Sequence, residues 1–125
     1  SGARCLGTGI YYLLTPGDIS SMHRGKSDEP FHFYMGDPTE LLMLYPDGTG
    51  KIIEIGTDLE KGMEPCITIE KGVWQGQRLK EGGRFVLFGT TVNPGFEFDD
   101  FEFGDRAKLQ AEYPDFREMI ALLTK

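Results

Sequence analysis

Short apolar runs separated by glycine and proline fill most of the chain up to about Val92. The runs are rich in Ile, Leu, Phe, Tyr, Val and Thr, and this composition is typical of β-strands. They lie at 8–14, 31–35, 41–45, 51–55, 66–70, 75–80 and 85–92. Tight-turn sequences such as Pro46-Asp47-Gly48 separate them, and no long helical pattern intervenes. The pattern therefore predicts an all-β fold, built as an antiparallel sandwich or barrel.

The last twenty or so residues follow a helical spacing instead. Asp105 is placed to cap a short helix that runs through Glu112, and Pro114 interrupts the helical pattern. Asp115 begins a second helix, whose apolar stripe consists of Phe116, Met119, Ile120 and Leu123. A stripe of this length indicates packing against a sheet. We expect one domain over 1–125, with a barrel at about 8–103 and helices at about 105–124.

Aromatic and acidic residues alternate over 96–103, and Asp99 and Asp100 interrupt the alternation. We expect a loop or strand whose phenylalanine rings attach it to the barrel while its acids face water. A cation site at Asp99 and Asp100 is the alternative.

The charge balance argues against several partners. The chain has 13 Lys and Arg against 20 Asp and Glu, a net charge of −7, and no basic cluster. Nucleic acids and anionic membranes are bound through cationic side chains, so neither is an expected partner. No apolar run approaches the roughly 20 residues that span a bilayer. We expect a soluble cytoplasmic protein in which Cys5 and Cys66 are reduced, since two cysteines form neither a disulfide framework nor a CxxC zinc site.

The histidine count restricts the possible chemistry. His23 and His32 are the only two, so one chain cannot form a three-histidine metal site. If 29–35 is extended, Glu29, Phe31, Phe33 and Met35 share one face, and His32 and Tyr34 share the other. A carboxylate on an apolar face needs a partner, and His23 is the candidate across the turn at Gly25. The alternative places Glu29 in solvent and gives His23 a hydrogen bond within a loop.

Two glutamines alternate along the predicted strand 75–80. Gln75, Gln77 and Leu79 share one face, and Trp74, Gly76 and Arg78 share the other. The glutamines line a polar pocket if their face is internal, and they contact water if it is external. Alternation alone leaves both possibilities open.

Five motifs follow one another along the chain. They are IYYLL at 10–14, SMHR at 21–24, SDEPFHFYMGDP at 27–38, GVWQ at 72–75 and TVNPGFEF at 91–98. Together they resemble a small cupin family of uncertain function within the RmlC-like superfamily. The resemblance covers nearly the whole chain. It implies a double-stranded β-helix (jelly-roll) barrel around one small-ligand pocket, and a homodimer. The sequence itself assigns His32 no role beyond packing at a subunit interface. Phe31 stands where relatives carry Trp, and their upstream HPEGG segment is not matched, so we expect one strand or pocket wall to be missing.

The resemblance also suggests the fate of the metal site found in other cupins. His23 and Glu29 match the first histidine and the glutamate of the cupin metal motif, whereas Gly25 and Gln75 stand at its other two histidines. One imidazole with carboxylate and amide oxygens binds transition metals poorly. We therefore expect no cofactor, with a degenerate metal site at His23, Glu29 and Gln75 as the alternative.

The expected function is binding of a small metabolite such as a carbohydrate or nucleotide sugar. The first alternative follows metal-free cupins such as dTDP-4-dehydrorhamnose epimerase, which use a His base and a Tyr acid. His23 would be the base, Glu29 would orient it, and Tyr12 would be the acid, since alternation argues against Tyr34. Pocket walls would come from Ser21, Phe31, Phe33, Gln75 and Gln77. A metal-dependent enzyme with the degenerate site is the second alternative.

Overall fold

Two antiparallel sheets followed by two short helices make up the protein, in a computed structural model that describes residues 3–125. The strands are β1 (Thr8–Leu14), β2 (Ile19–Gly25), β3 (Glu29–Gly36), β4 (Thr39–Leu44), β5 (Gly50–Ile55), β6 (Cys66–Ile69), β7 (Trp74–Leu79), β8 (Val86–Val92) and β9 (Phe101–Phe103). The helices are α1 (Arg106–Glu112) and α2 (Arg117–Leu122), and 3-10 turns lie at Leu59–Lys61, Phe98–Asp100 and Pro114–Phe116.

The strands follow the order β1-β8-β3-β6 in one sheet and β5-β4-β7-β2-β9 in the other. Neighbouring strands pair antiparallel throughout. This arrangement confirms the predicted all-β jelly-roll with short helices after it. Every run predicted as a strand is a strand, with ends that shift by at most a few residues.

The sequence prediction missed β2, which contains His23, and gave β9 only as an alternative to a loop. The β2 sequence ISSMHRG has few residues that favour strands. It is extended because β7 pairs with it on one side and β9 on the other. Tertiary pairing therefore overrides a weak local preference.

Two hydrophobic cores lie on opposite sides of the five-stranded sheet. The core between the sheets contains Leu14, Phe31, Leu41, Met43, Ile55, Ile69, Val73, Leu79, Val86 and Phe88. The core under the helices contains Met22, Leu42, Leu44, Leu109, Tyr113, Ile120 and Leu123. Because β4 is covered on both faces, its sequence is an almost unbroken apolar run. The predicted helical stripe packs as expected, with Phe116 and Met119 half-buried beside Ile120 and Leu123.

The predicted inward orientation of Met35 is wrong. A β-bulge interrupts the pairing of β3 with β8, because Phe33 pairs with Phe88 whereas Met35 pairs with the adjacent Leu87. The extra residue reverses the alternation beyond it. Met35 is consequently 53% exposed.

Three turn aspartates hold low pKa values because they accept hydrogen bonds. The pKa of Asp18 is lowered mainly by the Thr15 hydroxyl, that of Asp37 by the Arg84 backbone N–H, and that of Asp47 by the Thr49 hydroxyl. A carboxyl whose folded pKa lies below its unfolded pKa stabilises the fold above the unfolded pKa, and loses that contribution as pH falls through the folded pKa.

We therefore expect acid to weaken the fold in part through Asp18, Asp37 and Asp47. Urea unfolding of the wild type and of the triple Asp→Asn variant, measured between about pH 5 and about pH 2, tests this expectation. The free energy of unfolding should fall less steeply with acidification in the variant. Equal slopes in the two proteins would show that these carboxyls do not contribute.

Candidate functional site

A cavity of about 340 Å³ lies between the two sheets. Its apolar walls include Tyr12, Ile19 and Val92 together with Phe96, Phe101 and Phe103. Its polar lining includes Ser20, Ser21, His23, Lys26, Glu29, Glu70 and Gln75. Aromatic walls with a few converging polar groups are typical of small-molecule sites.

A β-bulge in β2 turns His23 toward this cavity. Ser20 pairs with Gln77 and His23 pairs with Gln75, so β2 uses one more residue than β7 over the same distance. The extra residue allows both Ser20 and His23 to line the cavity, whereas Met22 between them packs in the core under the helices. Strict alternation would have placed Ser20 and His23 on opposite faces.

A hydrogen bond fixes which tautomer the neutral His23 ring adopts. Its Nδ1 lies 2.7 Å from the backbone carbonyl oxygen of Ser21. A carbonyl oxygen can only accept a hydrogen bond, so Nδ1 carries the proton. The other nitrogen, Nε2, faces the Glu29 carboxylate with 4.0 Å between Nε2 and Oε1. Neutral His23 therefore presents a free lone pair beside a carboxylate.

The Glu29 carboxylate is fixed by hydrogen bonds from both sheets. The Thr90 hydroxyl donates to Oε2 over 2.6 Å, and the Gln75 amide nitrogen donates to Oε1 over 3.0 Å. Gln75 is only 3% exposed. Thr90 lies on β8 and Gln75 on β7, so the two sheets hold Glu29 between them. The carboxylate is preorganised opposite His23.

The structure brings together five of the predicted site residues around the cavity, namely Tyr12, Ser21, His23, Glu29 and Gln75. Tyr12 also stacks on Phe88, with 5.1 Å between ring centroids. The predicted partnership of His23 with Glu29 is present as geometry. The alternative that placed Glu29 in solvent is not what the structure has.

Three predicted wall residues do not line this cavity. Phe31 and Phe33 belong to or pack against the core between the sheets. Gln77 faces inward, as Gln75 does, but it is 1% exposed and accepts a hydrogen bond from the Thr39 hydroxyl. These residues point inward as alternation requires, but they lie where the barrel is filled with side chains rather than open.

Sequence reasoning missed the aromatic wall and the Thr90 hydroxyl. The ring of His23 meets Phe101 edge-on at 5.8 Å, and Phe101 contacts both Phe96 and Phe103. The alternation of aromatic and acidic residues in 96–103 was the available signal for this wall. Thr90 gave no signal, because a threonine in a strand is ordinary.

The acids of that segment bind a side chain of the same chain. The Arg4 guanidinium forms ion pairs with Glu97 and Asp100. The alternative of a cation site at Asp99 and Asp100 gains no support, since residues 3–125 contain no group of three or more His, Cys, Asp or Glu placed to hold a metal.

A transition metal, the alternative that the sequence resemblance raised, does not fit the donors at His23. One imidazole nitrogen is available, and both Glu29 oxygens already accept hydrogen bonds. Gln75 uses its amide nitrogen toward Glu29 and has only a weakly coordinating oxygen to offer.

The second candidate acid, Tyr34, lies on the outer face of the four-stranded sheet and is exposed, as alternation predicts.

None of the helices in residues 3–125 has the length and apolar character needed to span a bilayer.

Two antiparallel sheets around an internal cavity define a small jelly-roll barrel protein. The chain belongs to the family described as Cupin superfamily (DUF985), whose profile matches residues 1–104. The family suggested by the sequence motifs is therefore confirmed.

Two relatives show how far the similarity extends. The uncharacterized protein YML079W of Saccharomyces cerevisiae is 29% identical over 97 residues, which cover 75% of this chain and 48% of the yeast protein. The chain thus spans about half the length of that relative. The crystal structure of protein SO0799 from Shewanella oneidensis superposes with a TM-score of 0.92 at 34% identity, covering 100% of this chain and 78% of that one.

Two enzymes share the fold at much lower identity. Oxalate decarboxylase from Bacillus subtilis superposes with a TM-score of 0.65 at 16% identity, covering 96% of this chain and 31% of that one. A dTDP sugar isomerase from Desulfovibrio desulfuricans superposes with a TM-score of 0.65 at 13% identity, covering 82% of this chain and 67% of that one. These similarities concern the fold alone.

Proposed function

We propose that this cupin binds a small polyhydroxylated metabolite, of the carbohydrate or nucleotide-sugar class, in contact with His23 and Glu29. The observation that supports this most directly is the pair of acceptors separated by 4.0 Å, His23 Nε2 and Glu29 Oε1. Neutral imidazole nitrogen and carboxylate oxygen both accept hydrogen bonds. Each acceptor must therefore meet a donor. Because a hydroxyl has a single hydrogen to donate, two neighbouring hydroxyls of one ligand satisfy the pair, each donating to one acceptor over about 2.8 Å.

The walls favour the same class of ligand. Tyr12, Phe96 and Phe101 offer apolar ring faces around the polar pair. A sugar presents C–H groups on the faces of its ring and hydroxyls at its edge, so it complements both kinds of surface. The cavity volume of about 340 Å³ lies in the range of small-molecule sites.

The alternative function is a metal-independent sugar isomerase or epimerase. The lone pair on His23 Nε2 would remove a proton from a carbon next to a carbonyl, and Glu29 would stabilise the resulting imidazolium. Tyr12 would supply the acid. The specific observation that favours this alternative is the fixed tautomer of His23, because a base needs a free nitrogen aimed into the cavity. The fold shared with a dTDP sugar isomerase agrees with it as analogy.

A panel of sugars, sugar phosphates and nucleotide sugars tests both functions. Binding should raise the melting temperature of the protein in proportion to the logarithm of ligand concentration. Binders are then incubated in D₂O and followed by NMR for deuterium at carbons next to a carbonyl. Stabilisation without exchange supports a binding protein, and exchange supports the isomerase.

Two outcomes contradict the proposal. One is that no member of the panel stabilises the protein. The other is stoichiometric transition metal, found by elemental analysis after purification without chelator, which would favour the metal-dependent alternative. We also propose that the protein is a homodimer, as the resemblance implies, and that it is cytoplasmic, as its composition and cysteine usage suggest. Light scattering on the purified protein tests the oligomeric state.

A further inference from the structure

Cys66 and His32 form a pair on the outer face of the four-stranded sheet, away from the cavity. They are directly opposite residues of β6 and β3. Cys66 Sγ lies 3.6 Å from His32 Nδ1, and Cys66 is exposed. The other ring nitrogen, His32 Nε2, lies 3.4 Å from the Thr91 hydroxyl. One nitrogen of the His32 ring therefore contacts the Cys66 thiol, and the other contacts the Thr91 hydroxyl.

The surface beside this pair is aromatic. His32 pairs across the sheet with Gly89, and the Tyr34 ring lies over Gly89 so closely that a side chain there would displace it. Tyr11 meets Tyr34 edge-on at 5.9 Å. The titratable groups that β1, β3, β6 and β8 contribute to this surface are the Tyr11 and Tyr34 phenols, the Cys66 thiol and His32 itself. Within residues 3–125, no carboxylate from these four strands competes for the His32 ring on this face.

We propose that Cys66 is a reactive thiol that forms mixed disulfides with small-molecule disulfides, with His32 as its proton acceptor. The Cys66 thiol passes its proton to His32 Nδ1, and the thiolate sulfur attacks one sulfur of the disulfide. A bond between Cys66 and that sulfur forms as the original S–S bond breaks. The departing thiolate takes the proton from the imidazolium. Cys66 is thereby oxidised to a mixed disulfide, and half of the small disulfide is reduced to a thiol.

Cys5 provides a control within the same molecule. It is a free, exposed cysteine, as Cys66 is. His23 is the only other histidine, and it lines the cavity. In the part of the chain that the structure describes, the hydrogen bonds of the two histidines go to Ser21, Thr91 and Cys66 and none goes to Cys5. The two thiols are thus both exposed and differ in having a histidine partner.

The test follows the release of thiolate from a coloured aromatic disulfide by the wild type, Cys5→Ser, Cys66→Ser and His32→Gln. At about pH 7 we expect the wild type to react in two phases, one for each cysteine, with the first about tenfold faster than the second. The fast phase should be present in Cys5→Ser and absent in Cys66→Ser. His32→Gln should slow that phase about tenfold at about pH 7 and not at about pH 10, where thiols ionise without help. The neutral alkylating reagent iodoacetamide should rank the four proteins in the same order of rate. It has no charge, so this control excludes attraction of a charged probe by the imidazolium as the cause.

Equal rates for the two cysteines would overturn the proposal. An unchanged fast phase in His32→Gln would also overturn it, because the thiol would then need no proton acceptor. If the fast phase of His32→Gln is still slower than that of the wild type at about pH 10, His32 has a steric role, and the proposal is likewise rejected.

Discussion

Replacement of His23 by alanine should weaken ligand binding at least about tenfold, because it removes one of the two acceptors to which the hydroxyls of the ligand donate. If the protein is an isomerase, the same change should slow deuterium exchange by a factor on the order of a hundred or more, since a positioned base is lost. Titration calorimetry and NMR exchange, with a ligand found in the panel, measure the two effects separately.

His32→Ala is the matched control for this experiment. It removes the other imidazole of the chain, which lies on the outer face of the barrel, and it should leave both affinity and exchange unchanged. Retention of full affinity and exchange in His23→Ala would remove His23 from the site.

Glu29→Gln separates the two proposed functions further. This substitution keeps the shape of the side chain but removes the negative charge opposite His23 Nε2. A binding protein should lose affinity modestly, whereas an isomerase should lose exchange far more than affinity, because the imidazolium would no longer be stabilised. If affinity and exchange rate fall by the same factor, Glu29 contributes to ligand binding and not specifically to the proton transfer.

Replacement of Phe88 by alanine should lower the free energy of unfolding by about 3–5 kcal/mol. Phe88 is fully buried between the sheets, where it stacks on Tyr12 and meets Phe31 edge-on with 5.4 Å between centroids. The cavity left by the ring removes both aromatic contacts. Urea unfolding at neutral pH measures the loss, which is a large fraction of the stability of a domain this size.

Phe103→Ala is the control, since Phe103 is 68% exposed and its ring contact with Phe101 contributes at most about 1.5 kcal/mol. If Phe88→Ala does not accumulate as folded protein, Phe88→Leu, with a smaller cavity, should show an intermediate loss. A loss in Phe88→Leu no greater than that in Phe103→Ala would contradict the assignment of Phe88 to the centre of the core.

The fold itself was largely predictable from local patterns. Apolar runs bounded by turn residues located the strands that form most of both sheets, and the spacing of Ile120 and Leu123 predicted the helix face that covers one sheet. Asp105 caps α1 as predicted, with its carboxylate accepting from the Lys108 N–H. These features depend on residues close together in sequence, so short-range rules capture them.

The site was only partly predictable. The partnership of His23 and Glu29 was inferred, and Gln75 was placed near them. The location of Phe31, Phe33 and Gln77 beneath the open part of the barrel was not foreseen, because alternation distinguishes inside from outside but does not measure depth.

The sequence by itself therefore determined the class of fold, the helical tail and the identity of the polar residues available for chemistry. Only the tertiary structure decided which of them meet. Two bulges, one in β2 and one in β3, each add a residue against the partner strand, so that His23 turns inward and Met35 turns outward. Such a register change arises from pairing with a strand distant in the chain, and no local pattern of hydrophobic and polar residues encodes it.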